Sequence, residues 1–312
     1  MNALLDVILP VFLIIGAGYF AAWKGIVSEA AVDGVMKFAQ NFAIPCLLFS
    51  SMSRLELGTA FVPGLIISFY AGALGSGAIA FVLARQFFGR SAVDALSIAF
   101  VASFSNTLLI GLPITERAYG AEALAGNYAI IAVHSPFLYA VGITLMELLR
   151  ARGHGLSKPA LLRQILRAIF TQPLVLGITA GLIVNLTGLP LPGVAWNALD
   201  MMVRAAIPAA LFGLGGVLLR YRPEGDMRMI AVVCALSLIV HPAITWGLGR
   251  FGFGLTTDQM RSAVITAAMA PGVNAYLFAD VYGAARRVAA SSVLLATAGT
   301  ILTAWVWLHI LP

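Results

Sequence analysis

Two groups of polar and helix-breaking residues interrupt stretches that are otherwise apolar. One is Ser105-Asn106-Thr107 followed by Gly111-Leu112-Pro113, and the other is Pro271-Gly272 followed by Asn274. Proline removes a backbone donor and crowds the preceding turn, while glycine lets the chain unwind. Both helices are therefore expected to be discontinuous. Each break would leave free N–H groups at the start of one half-helix and free carbonyls at the end of another, a positive and a negative pole. An anionic group suits the N–H pole. The amides of Asn106 and Asn274 can donate or accept, so they could hold both the loosened backbone and a carboxylate. Alternatively, the prolines merely kink buried helices and the asparagines satisfy the backbone so freed. The expected binding set also contains Thr107, Gly111, Pro113, Pro271, Gly272 and Tyr276.

Further polar residues have two readings each. Arg204 stands one helical turn before Pro208, at the place equivalent to Asn41, and joins Asn41 in the expected binding set. It could attract an organic anion by charge and a bidentate contact, or simply extend its head to the interface. His134 near Pro136 and His241 beside Pro242 are candidates for proton coupling, because imidazole titrates near neutral pH. Each could equally be a structural hydrogen-bonder. Cys46 and Cys234 have no neighbouring His or Cys and read as packing residues. No GxxxxGK[ST], HExxH or GxSxG occurs, so neither ATP binding nor hydrolytic chemistry has a motif to rest on. No cofactor is expected.

The elements that position these residues follow from composition. With 61% hydrophobic and 10% charged residues, the chain has too little polar material for a water-facing surface. An all-α, polytopic membrane protein is expected. At about 20 apolar residues per span, ten stretches can be read: 4–22, 35–52, 60–84, 95–115, 126–149, 168–186, 202–219, 229–250, 262–280 and 288–310. The apolar runs are continuous rather than alternating, which excludes a β-barrel.

A gapless shift of 163 positions superposes Pro10 on Pro173, Gly18 on Gly181, Pro45 on Pro208, Phe49 on Phe212, and Tyr119-Gly120-Ala121 on Tyr282-Gly283-Ala284. The chain reads as a duplication: a first repeat over 1–150, a short basic cytoplasmic linker over 151–167, and a second repeat over 168–312. Five spans per copy is an odd number, so the copies must be inverted, with spans four and nine crossing at their breaks. In that register Gly111 meets Asn274 and Pro113 meets Tyr276. Lys and Arg gather in cytoplasmic loops. With the N-terminus outside, 14 of the 19 lie on the cytoplasmic side, against Arg54, Arg117, Arg204, Arg250 and Arg261 on the other. Both termini are thus expected to face outward. The net charge of +6 is dispersed over short loops, which argues against a nucleic-acid partner.

The segments from Asn41 to Phe49, from Phe104 to Pro113, from Ile207 to Gly215 and from Ala270 to Gly283 resemble the auxin efflux carrier family. The likeness is nearest to its bacterial branch, with permeases for malonate and malate, and more distant to the bile-acid sodium symporters. It spans essentially the whole chain. It implies a scaffold of spans one, two, six and seven, a moving transport domain of the other six, and a homodimer through the scaffold. A bacterial inner membrane and an organic anion substrate moved by an elevator mechanism are likewise implied. A channel or sensor retaining the fold is the alternative. The chain departs from plant members in its short central linker, and from sodium-coupled relatives in having only Glu116 and Asp280 as the nearest acidic residues to the crossing. The coupling ion stays open between proton and sodium.

Overall fold

A computed structural model describes residues 3–150 and 157–312, which are almost wholly helical and contain no β-strand. A π-helical turn, Ala3–Ile8, opens α1 (Leu9–Trp23), and another, Ala39–Ala43, joins α2 (Glu29–Phe38) to α3 (Ile44–Arg54). The short α4 (Leu57–Ala60) precedes α5 (Pro63–Gln86). Next, α6 (Ala92–Ser103) stops at a break, beyond which the π-helical turn Thr107–Gly111 continues into α7 (Leu112–Tyr119). After α8 (Ala125–Arg150) come α9 (Lys158–Phe170), α10 (Pro173–Thr187) and α11 (Gly193–Leu218). Leu236–Val240 joins α12 (Met227–Ala235) to α13 (His241–Gly247), which ends in Leu248–Gly252. A second break separates α14 (Thr257–Ala267) from α15 (Val273–Tyr282), and α16 (Arg286–Ile310) closes the chain.

Local chemistry sets these boundaries. Ser28, Ser91, Asp226 and Thr256 each accept a backbone N–H at a helix start, and Thr256 forms a reciprocal box with Gln259. Pro63 and Pro173 sit in true first turns, where the missing donor costs nothing, whereas Pro45, Pro113 and Pro242 each directly follow a π-helical turn inside a continuing helix.

Six helical stretches among the described residues are long and apolar enough to cross a membrane: Leu4–Trp23, Pro63–Gln86, Ala121–Arg150, Gly193–Leu218, Met227–Gly252 and Arg286–Ile310. A seventh results if α9 and α10, bent by 80°, count as one. The other stretches read as spans are helical too, but are broken, bent or less apolar. The second half of the linker is helical, since α9 begins at Lys158 and runs on to Phe170. Its leucines recur at helical spacing, and Pro173 stops it. Arg152 and the rest of 151–156 lie outside the described residues.

The helices pack as two sets. In one, α1 and α2 lie on α11, and α3 lies on α10 and α11. In the other, α5 packs on α6 and α13, α8 on α6 and α14, and α16 on α12 and α15. Close approach in the first set is reciprocal under the 163-residue shift. A Cβ at Gly18 would strike the Phe212 carbonyl, and one at Gly181 would strike the Phe49 carbonyl. The same shift relates Gly25 to Gly188 and Gly120 to Gly283, all at positive φ and all closing a helix.

Candidate functional site

The two breaks meet. Ser105 and Pro271 form an antiparallel β-bridge, in which Asn106 N–H donates to the Ala270 carbonyl (2.8 Å) and Gly272 N–H donates to the Phe104 carbonyl (3.0 Å). Backbone that leaves the helical ladder in an apolar interior must find partners elsewhere, and here each break supplies the other's. These bonds exchange under a shift of 166 residues, not 163, because each relates a residue near 105 to one near 271. The gapless pairing of Gly111 with Asn274 and Pro113 with Tyr276 therefore does not hold at the crossing. Asn106 corresponds to Gly272, and the half-helix after the first break, Thr107–Tyr119, is three residues longer than Val273–Tyr282. The π-helical turn Thr107–Gly111 lies within that longer stretch.

Beside the crossing is a cavity of about 250 Å³. The first turns of both half-helices line it, Asn106 to Leu109 from one and Gly272 to Asn274 from the other. Two helix N-termini thus address one small space, and helix starts present unsatisfied N–H groups with a positive potential. No Asp, Glu, Lys or Arg is among the described residues that line it. Gln40, Asn41 and Gln172 border it from the α2, α3, α10 side. The cavity consequently lies where the two packing sets face each other.

Of the residues singled out by sequence, Asn41, Asn106, Thr107, His134, Gly272 and Asn274 line this cavity together. Asn106 is buried, and its side-chain oxygen accepts from Leu109 N–H (3.2 Å), capping the half-helix. Gly272 has the Asn106 backbone against its face. Pro271 forms the bridge, while Gly111 and Pro113 are buried behind the first turn and do not line the cavity. Tyr276 turns away and packs against Tyr221, ring centroids 4.9 Å apart. Arg204 is exposed on α11, outside the cavity. His241 lies deeper, with Nε2 3.3 Å from the Phe69 carbonyl and its ring 5.0 Å from that of Phe69.

Several contributors escaped sequence reasoning. Tyr139 lines the cavity and donates to the Asn274 carbonyl (3.3 Å). Asn127, fully buried, donates to Thr115 (3.0 Å) and Thr266 (2.8 Å), tying α8 to the helices on either side of the crossing. Gln172 lines the cavity and leaves its side-chain oxygen without a partner. Its place directly before Pro173, at the start of an apolar run, was the available signal. Ser105, by contrast, belongs to the first break as read from sequence, and it keeps a buried, unpartnered hydroxyl on the lining.

Comparison with known proteins settles the class. The membrane transport protein family, Mem_trans, matches residues 3–308. The chain belongs to this family. An uncharacterized transporter of Methanothermobacter thermautotrophicus is 25% identical, over 85% of this chain and 87% of its own length. A putative malonate transporter of Rhizobium meliloti is 23% identical over 97% and 94%. Auxin efflux carrier component 5 of Arabidopsis thaliana is 22% identical over 59% and 61%. The resemblance read from the interrupted helices is thereby borne out, and the chain is a multi-pass membrane protein of a transporter family.

Proposed function

We propose that this protein is a secondary carrier of a small organic anion, a mono- or dicarboxylate, with its site at the paired helix breaks. The observation that carries the reading is the convergence of two half-helix N-termini on one cavity whose described lining holds no Asp, Glu, Lys or Arg. Binding energy for a carboxylate then comes from backbone N–H groups and amides. A volume of about 250 Å³ suits a ligand of few carbon atoms, since drug-sized pockets run to roughly 300–1,000 Å³. The name of the Rhizobium relative points to the same class.

In this reading ten spans form two inverted repeats of five, with both termini outside and the membrane a bacterial inner one. The set built on α1 to α3, α10 and α11 is the scaffold and carries the homodimer contact. The set containing both breaks moves against it and carries the cavity from one side to the other. Reciprocal glycine contacts and the matched positive-φ glycines support the duplication. The membrane, the anion and a second copy of the chain are its partners, and no cofactor or catalytic group takes part.

Counterflow in proteoliposomes tests it. Preloading with unlabelled malonate or malate should accelerate saturable uptake of the labelled anion. Linear uptake indifferent to preloading would identify a channel and end the carrier reading.

A further inference from the structure

The cavity favours an anion, yet its described lining residues supply no permanent cation. The lining side chains that can change charge near neutrality or above are His134 and Tyr139. Tyr139 is already engaged, through its hydroxyl, with the Asn274 carbonyl. His134 is 2% exposed, and neither ring nitrogen makes a well-aligned hydrogen bond. Its ring lies edge-on to Phe104 at 4.5 Å and is flanked by Phe69 at 5.7 Å and Tyr70 at 6.2 Å, with the Ser105 backbone alongside. Among the described residues, three titratable groups stand near it. Tyr70 on α5 donates to the Ile130 carbonyl, His241 on α13 stands beyond Phe69, and Tyr139 follows on α8 itself. No carboxylate or basic side chain approaches from the breaks or from α10.

Helix dipoles alone do not complete such a site. A dipole stabilises the anion locally but adds no net charge, because each half-helix also has a negative end. The loaded cavity would still hold the full charge of the anion in an apolar interior, where unpaired charge is costly. An imidazolium alone there is costly for the same reason. Brought together, carboxylate and imidazolium compensate each other and satisfy the orphan ring nitrogens. We propose that His134 takes up one proton from water as a carboxylate enters, so that each transported anion travels with a proton held on the imidazole. The proton returns to water when the anion leaves. Resting on the carboxylate reading above, this identifies the coupling ion as the proton and His134 as the residue that carries it.

Calorimetric titration of the purified full-length protein with malonate and with malate, in buffers of different ionisation heat, counts the protons. Above the ordinary imidazole range the wild type should take up about one proton per anion bound, and its affinity should fall by up to about tenfold per pH unit. His134→Gln should bind more weakly, with no proton uptake and a flat pH profile. His241→Gln should keep the wild-type proton count, which separates the two histidines. Proton-free binding by the wild type would overturn the inference, and needs no variant to fold. Undiminished uptake by a folded His134→Gln would do the same. Failure of both anions to bind would instead overturn the carboxylate reading, and the inference with it.

Discussion

At the scale of single residues, Asn106 concentrates the account. It supplies an N–H to the bridge, accepts from Leu109 with its side chain, and lines the cavity. Removing such a cap costs about 1 kcal/mol. Asn106→Ala should therefore lower the thermal midpoint modestly while abolishing malonate binding, and Asn106→Asp should keep the cap but repel the anion. Wild-type affinity in Asn106→Ala, read by calorimetry, would leave the residue with a structural role alone. The breaks were legible in sequence because Pro and Gly clustered with Asn disrupt the helical ladder where water cannot replace the lost bonds. Their partners were not. Tyr139 looks ordinary within α8, and Asn127 stands near a span's start, so both gain meaning only where the fold carries them against Asn274 and Thr266. Arg204 invited attention by its charge, yet which face of α11 it occupies depends on packing that no local pattern encodes.

Among elements, close helix packing makes the sharpest demand. A Cβ at Gly215 would collide with the Ile15 carbonyl, where α11 meets α1, whereas one at Gly16 meets nothing within 4 Å. Overpacking of this kind costs about 1–3 kcal/mol. Gly215→Ala should shift detergent-solubilised unfolding downward, and Gly16→Ala should leave it unchanged or raise it slightly. Equal midpoints would show that α1 and α11 do not touch as described. Asp226, at the start of α12, offers a pH test. The Met229 N–H, joined by Arg90 at 2.9 Å, holds its carboxyl below the usual carboxylate range. A carboxylate depressed by folding stabilises above its unfolded pKa, and that gain is lost as pH falls through the folded value. The stability gap between wild type and Asp226→Ala should thus be flat near neutrality and close on acidification. Element existence was readable from apolar length and from the polar, Gly and Pro breaks between runs. Element register was less so, because a gapless comparison cannot see the three extra residues in Thr107–Tyr119 that move the crossing from 163 to 166.

For the whole molecule, the claim is that two packing sets face each other across a cavity made by paired helix breaks. The sequence carried the breaks and the internal similarity, since both leave marks in residue type. It did not carry the amphipathic α9, because its basic residues looked like loop residues until their helical spacing was seen in place. The central claim is that a carboxylate occupies this cavity. Site-directed thiol protection tests it most directly: with Cys46 and Cys234 replaced by Ser, Leu108→Cys, Val273→Cys and Arg204→Cys are each reacted with a small water-soluble thiol reagent in proteoliposomes, with and without malonate. Malonate should slow labelling at positions 108 and 273, which line the cavity, and leave 204, outside it, unchanged. Labelling rates at 108 and 273 that ignore malonate, or protection at 204 alone, would contradict the account.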